Sequence, residues 1–95
     1  MPKSKQSQFI RNLRDMGSIE LVSVITSFDT EGHIRPLYIR IGEDCLKVHS
    51  SWERHFFNDR RVFQCKVIDN NCLKPLVITF YEHEATWAID KTAIL

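Results

Sequence analysis

Most features that announce a chemistry are missing from this chain of 95 residues. Ser, Thr, Glu or Arg breaks every hydrophobic segment, well short of the roughly 20 apolar residues a helix needs to cross a bilayer, so no membrane-spanning helix is expected. The opening MPKSKQSQ carries charge with no apolar segment behind it, which is not the build of a secretory signal; a cytoplasmic location is the expectation. The 3 glycines are isolated and in no recognised motif, which excludes a glycine-rich phosphate loop. The 3 cysteines, Cys45, Cys65 and Cys72, are an odd number without close pairing, which argues against a disulfide framework. Structural zinc usually takes two short paired ligand motifs; the cysteines and His33, His49, His55 and His83 supply none, so no metal or other cofactor is expected. The formal net charge of +1 gives no bulk attraction to nucleic acid, so any such case must rest on where charges cluster.

With 43% hydrophobic and 26% charged residues, the chain has the balance of one globular domain spanning 1–95, too small for two cores. In SKQSQFIRNLRDMG, Phe9, Ile10, Leu13 and Met16 recur at helical spacing, with Ser4 or Ser7 to cap and Gly17 to stop. A tail and short helix are expected over 1–17.

From Ser18 the period changes to alternation between turns, and 18–90 reads as strands. SIELVSVITSF and IRPLYIRI form a hairpin across DTEGH, where Gly32 supplies the permissive backbone. Pro36 has no N–H for the ladder, so its strand should be bulged there or lie at an edge. CLKVHSSW follows the GED turn with Leu46, Val48 and Trp52 on the inward parity and Lys47 and His49 outward. A connection over 53–61 leads to VFQCKVID, with Phe63, Cys65 and Val67 inward.

For NNCLKP a loop over 70–73 is expected, setting Val67 against Leu76, Cys65 against Ile78, Phe63 against Phe80 and Asp69 against Lys74. A two-residue loop would put Lys74 opposite Val67. ATWAI closes the pattern with Trp87 and Ile89 inward. The fold class is therefore mainly β: a small antiparallel five- to six-stranded barrel of the Src-homology-3 kind, or a strongly bent sheet, with one short N-terminal helix over an open end or edge.

The stretches FDTEGHIRPLYIRI, RRVFQCKV and LVITFYEHEATWAI, covering most of 24–89, resemble a family of small, uncharacterised β-rich proteins common in clostridia and related Gram-positive bacteria. The resemblance implies a small β-barrel without enzymatic activity, and it carries no catalytic residue over.

The sharpest functional feature is SSWERHFFNDRRVFQCKV, which sets Trp52, Phe56 and Phe57 among basic residues. Cations that track phosphates and aromatic faces that stack bases are what single-stranded nucleic acid requires. Lys47, His49, Arg54, His55, Arg60, Arg61 and Lys66 are the candidate nucleic-acid surface, diluted by Glu53 and Asp59. Aromatics are more often buried than displayed. The stretch is accordingly expected to do both jobs, with Trp52 and Phe63 packed inward and Arg54, Arg60 and Arg61 on the rim.

Outward Tyr38, Val77, Thr79 and Tyr81 form a candidate protein-binding strip, which could instead dock Phe9, Ile10 and Leu13 of the same chain. The helix could also pair with its copy in a homodimer. No Cys, His or Asp falls into a nucleophile–base motif, and the carboxylates around His83 in Glu82-His83-Glu84 sit at a hairpin tip, so catalysis is not expected. A non-enzymatic binding or adaptor domain is the expectation, with nucleic acid as one partner class and protein or self-association as the alternative.

Overall fold

The structure is a computed structural model and describes residues 17, 19–56 and 59–90, without the side chains of 55, 56 and 90. The helix expected before Gly17 lies outside the described residues. Six strands follow: β1 (Ile19–Phe28), β2 (Ile34–Ile41), β3 (Asp44–Phe56), β4 (Arg60–Asp69), β5 (Cys72–Tyr81) and β6 (Thr86–Asp90). They pair antiparallel in chain order, and β6 pairs back onto β1 to close a barrel. No helix among the described residues is long and apolar enough to cross a membrane.

Alternation explains the interior. Ile39, Phe63, Cys65, Val67, Ile78 and Ile89 are buried, and Val24, Leu46, Val48 and Leu76 pack around them. Each fully buried apolar side chain of this size stabilises the fold by about 1.5–3 kcal/mol. Toward the end where β3 stops and β4 starts, Trp87 lies 4.9 Å from Phe80 and 5.6 Å from Phe63, ring centre to ring centre. Burial pushes the Cys65 thiol up to about 11, so this cysteine is a core filler and no nucleophile at neutral pH.

The turns follow their residues. Asp29 accepts the backbone N–H groups of Glu31 and His33 through Oδ1, both at 2.8 Å, while Gly32 takes φ +84°. These bonds to the ionised form hold the Asp29 carboxyl at about 2, led by the His33 backbone N–H. Between β4 and β5 the loop is Asn70-Asn71, with φ of 52° and 64°, and not the four-residue loop expected. Asparagine tolerates the left-handed region that a two-residue hairpin turn needs.

The register of that hairpin changes accordingly: Val67 faces Lys74, Cys65 faces Leu76, and Phe63 faces Ile78. Lys74 is accommodated because it stands exposed at the strand end, where its Nζ reaches Asp69 Oδ2 at 3.0 Å. The expected ion pair thus forms on the diagonal.

The ladder slips at three places, and the slips position everything that follows. Ile25 pairs with Tyr38 but Thr26 with Pro36, so Leu37 is an extra residue in β2. This is the bulge expected at Pro36, whose ring is buried. In β3, Val48 pairs with Val67 but Ser50 with Lys66, making His49 the extra residue; Glu53 pairs with Phe63 and His55 with Val62, making Arg54 a second.

A bulge reverses the side-chain parity beyond it. Leu46 and Val48 face in, yet past His49 the inward residues are Ser51 and Glu53, opposite Cys65 and Phe63. The inward packing expected for Trp52 is therefore wrong. Trp52 faces out and is 47% exposed. The expected connection over 53–61 is also shorter, since β3 continues to Phe56 and β4 starts at Arg60.

Candidate nucleic-acid interface

The outward side of β2, β3 and β4 is read directly from the register. Across the strands it carries the rows Ile25–Tyr38–Lys47–Ile68–Leu73, Ser50–Lys66–Pro75 and Trp52–Gln64–Val77. Arg35 and Arg40 stand outward on β2 opposite Ser27 and Ser23, and both are exposed. Successive rows on one face lie roughly 7 Å apart, so Trp52 stands one row from Lys66 and two from the Tyr38–Lys47 row.

Charge is segregated more sharply than a net value of +1 suggests. The described carboxylates near this face sit in turns or at strand ends (Asp29, Glu31, Glu43, Asp44, Asp59 and Asp69), or face inward, as Glu53 does. Outward positions along β2 to β4 hold Arg35, Arg40, Lys47 and Lys66 with no carboxylate among them. This is a positive face with an exposed indole and the phenol of Tyr38 embedded in it.

The expected site residues divide. Lys47 and Lys66 are outward and exposed, and His49 and Arg54 are exposed on the two bulges. The His55 side chain lies outside the described residues; its backbone pairs with Val62. Arg60 has outward parity opposite Tyr81, with Asp59 3.9 Å from its guanidinium.

Arg61 departs from the expected rim position. It faces inward, where Nε donates to Glu53 Oε2 at 3.0 Å and Nη2 to Oε1 at 2.8 Å, and its guanidinium lies 5.9 Å from the centre of the Phe63 ring. The bond to Glu53 raises the Arg61 pKa further. Arg61 and Glu53 therefore neutralise each other over the aromatic end of the core, which withdraws Arg61 from phosphate binding.

The candidate protein-binding strip divides as well. Tyr38 is exposed and Val77 half-buried. Thr79 and Tyr81 have the expected outward parity but are buried, Tyr81 in a second cluster with Ile19 and Ala88.

Sequence reasoning named Trp52 in the basic-aromatic stretch but packed it inward, and it missed Arg35 and Arg40. For the arginines the signal was present, since both occupy polar positions of IRPLYIRI. For Trp52 it was the complementary pair Glu53 and Arg61, which can meet across the hairpin only if Glu53 turns inward and Trp52 outward.

Among the described residues no group of three or more His, Cys, Asp or Glu could hold a metal ion. Comparison of the chain with protein-family models, curated proteins and solved structures found no match.

Proposed function

We propose that this is a small, non-enzymatic, cytoplasmic binding domain of the Src-homology-3 barrel kind that holds single-stranded nucleic acid on the outward side of β2 to β4. The observation that carries the reading is the exposed Trp52 on a face whose strand positions include Arg35, Arg40, Lys47 and Lys66 but no carboxylate. Lysine and arginine track the phosphates, and an exposed indole offers a stacking surface to any base. Single strands are favoured over duplex because only unstacked bases can lie on Trp52.

The test is fluorescence anisotropy of labelled single-stranded DNA and RNA across salt concentrations. Each phosphate contact adds about 0.7 to the salt slope on a single strand, so replacing both Lys47 and Lys66 by Ala should lower it by roughly 1.4. Trp52→Ala should weaken binding by about 1–3 kcal/mol with the slope unchanged. Binding that is absent at low salt, or indifferent to both changes, contradicts the proposal.

One observation favours a second reading. Ile25 at 60% and Leu73 at 53% exposure sit in the same cross-strand row as Tyr38 and Ile68, a largely apolar row crossed by Lys47 and suited to a protein partner or a second copy. Sedimentation that shows a concentration-dependent dimer, abolished by Ile25→Asp, supports this alternative.

A further inference from the structure

The barrel wall is incomplete between β2 and β3. Their ladder stops at the Tyr38–Lys47 pair, although β2 extends back to Ile34 and β3 on to Phe56. Over these stretches each strand is paired on its other side only, β2 with β1 and β3 with β4. The facing edges therefore present backbone groups with no ladder partner among the described residues. The bulges at Leu37 and His49 flank the last rung and turn the strands apart.

A cleft of about 570 Å³ occupies the gap, within the range of roughly 300–1,000 Å³ typical of small-molecule sites. Its lining includes Phe63 and the Glu53–Arg61 pair, with Pro36, Val48 and Ser51. Trp52, His49 and Arg35 line it too, and these three are exposed.

The chemistry of this lining selects a ligand. Unmatched backbone N–H and C=O groups favour a partner with both donors and acceptors on one edge. Pro36 has no N–H, so donors come chiefly from the β3 edge. Apolar surface from Phe63, Pro36 and Val48 suits a flat ring. Because Arg61 and Glu53 satisfy each other, a charged ligand head gains little beside them, whereas Arg35 offers a cation to an anionic group. A planar, neutral, hydrogen-bonding ring with an anionic tail is a nucleotide.

Resting on the nucleic-acid reading above, we propose that one unstacked base of the bound strand enters the cleft between β2 and β3. There it hydrogen-bonds to the β3 edge at Val48–Glu53 while its phosphate stays beside Arg35. This adds selection for a base to a face that would otherwise grip any strand.

The experiment compares short oligothymidylate and oligoadenylate with a fully abasic strand of equal length, using amide spectra of the isotope-labelled protein and anisotropy. At least one of the base-bearing strands should shift the amides of Ile34, Arg35, Leu37 and Val48–Glu53 as well as Lys47 and Lys66; the abasic strand should shift Lys47 and Lys66 and leave the cleft unmoved. Ser51→Leu, which fills the cleft, should weaken that strand by about fivefold or more, the worth of one base contact, and leave abasic binding and the salt slope unchanged. Cleft amides that stay still with both base-bearing strands, while Lys47 and Lys66 move, overturn the cleft proposal and leave the nucleic-acid reading standing. If no strand binds at low salt, the reading itself falls and the cleft proposal with it. The amide shifts on the unmutated protein decide the matter even if Ser51→Leu fails to fold.

Discussion

Between β4 and β5, ten consecutive residue pairs run from Arg60–Tyr81 to Asp69–Cys72 without a slip, whereas β2 and β3 share four pairs before the strands part. The regular ladder builds the core: Phe63, Cys65, Val67 and Ile78 all come from it and are buried. The slips lie in the ladders that flank the short one, β1–β2 at Leu37 and β3–β4 at His49 and Arg54, and beside them stand the features a ligand could use, namely the exposed Trp52, the outward cations and the cleft. Strict alternation hides side chains efficiently. An extra residue in a strand re-aims them, and that is how a small barrel keeps a tight core while displaying an indole.

The largest effect is expected from the regular β4–β5 ladder. Phe63→Ala removes the ring that touches Trp87 and underlies Arg61, and should cost about 3–5 kcal/mol in a urea or thermal melt. Glu53→Ala comes next. It leaves the half-buried Arg61 without its paired carboxylate and should cost about 2 kcal/mol, with a double-mutant cycle against Arg61→Ala returning most of that as coupling.

Asn71→Val tests the two-residue turn: forcing a β-branched residue to φ 64° should cost roughly 1–2 kcal/mol, whereas Asn71→Gly should not destabilise. The smallest effect belongs to the β1–β2 turn. Asp29 is held at about 2, below its usual 3.8, so its contribution is complete above about pH 4 and is lost as pH falls toward 2. Thermal melts over that window should show a drop that Asp29→Asn lacks.

How far the sequence could be read follows the same division. In VFQCKVID and ATWAI the alternation runs unbroken, and the inward positions Phe63, Cys65, Val67, Trp87 and Ile89 follow from it directly. Pro36 announced its own bulge because a residue without N–H must interrupt a ladder. His49 announced nothing. It is an ordinary strand residue whose bulge is set by the partner register, so alternation alone puts Trp52 on the wrong side; Arg61, by contrast, shares the inward parity of Phe63 along an unslipped strand, and its inward position is legible from that alternation.

The two-residue turn at Asn70-Asn71 is hard to read from the sequence for a related reason. By parity alone Lys74 opposite Val67 looks costly, yet at a strand end a lysine meets solvent whichever parity it has. Charge segregation was legible only after the register was known, since it depends on which residues share a face.

The His49 bulge turns Trp52 outward onto the basic face, where the proposed function has it stack bases. This stacking is tested most directly by tryptophan fluorescence of a Trp87→Phe variant, in which Trp52 is the sole indole, titrated with oligothymidylate at low and high salt. Water-exposed emission is expected from the free protein, quenched as the strand binds and restored by salt. Emission typical of a buried indole, or emission left unquenched by excess strand at low salt, would contradict it.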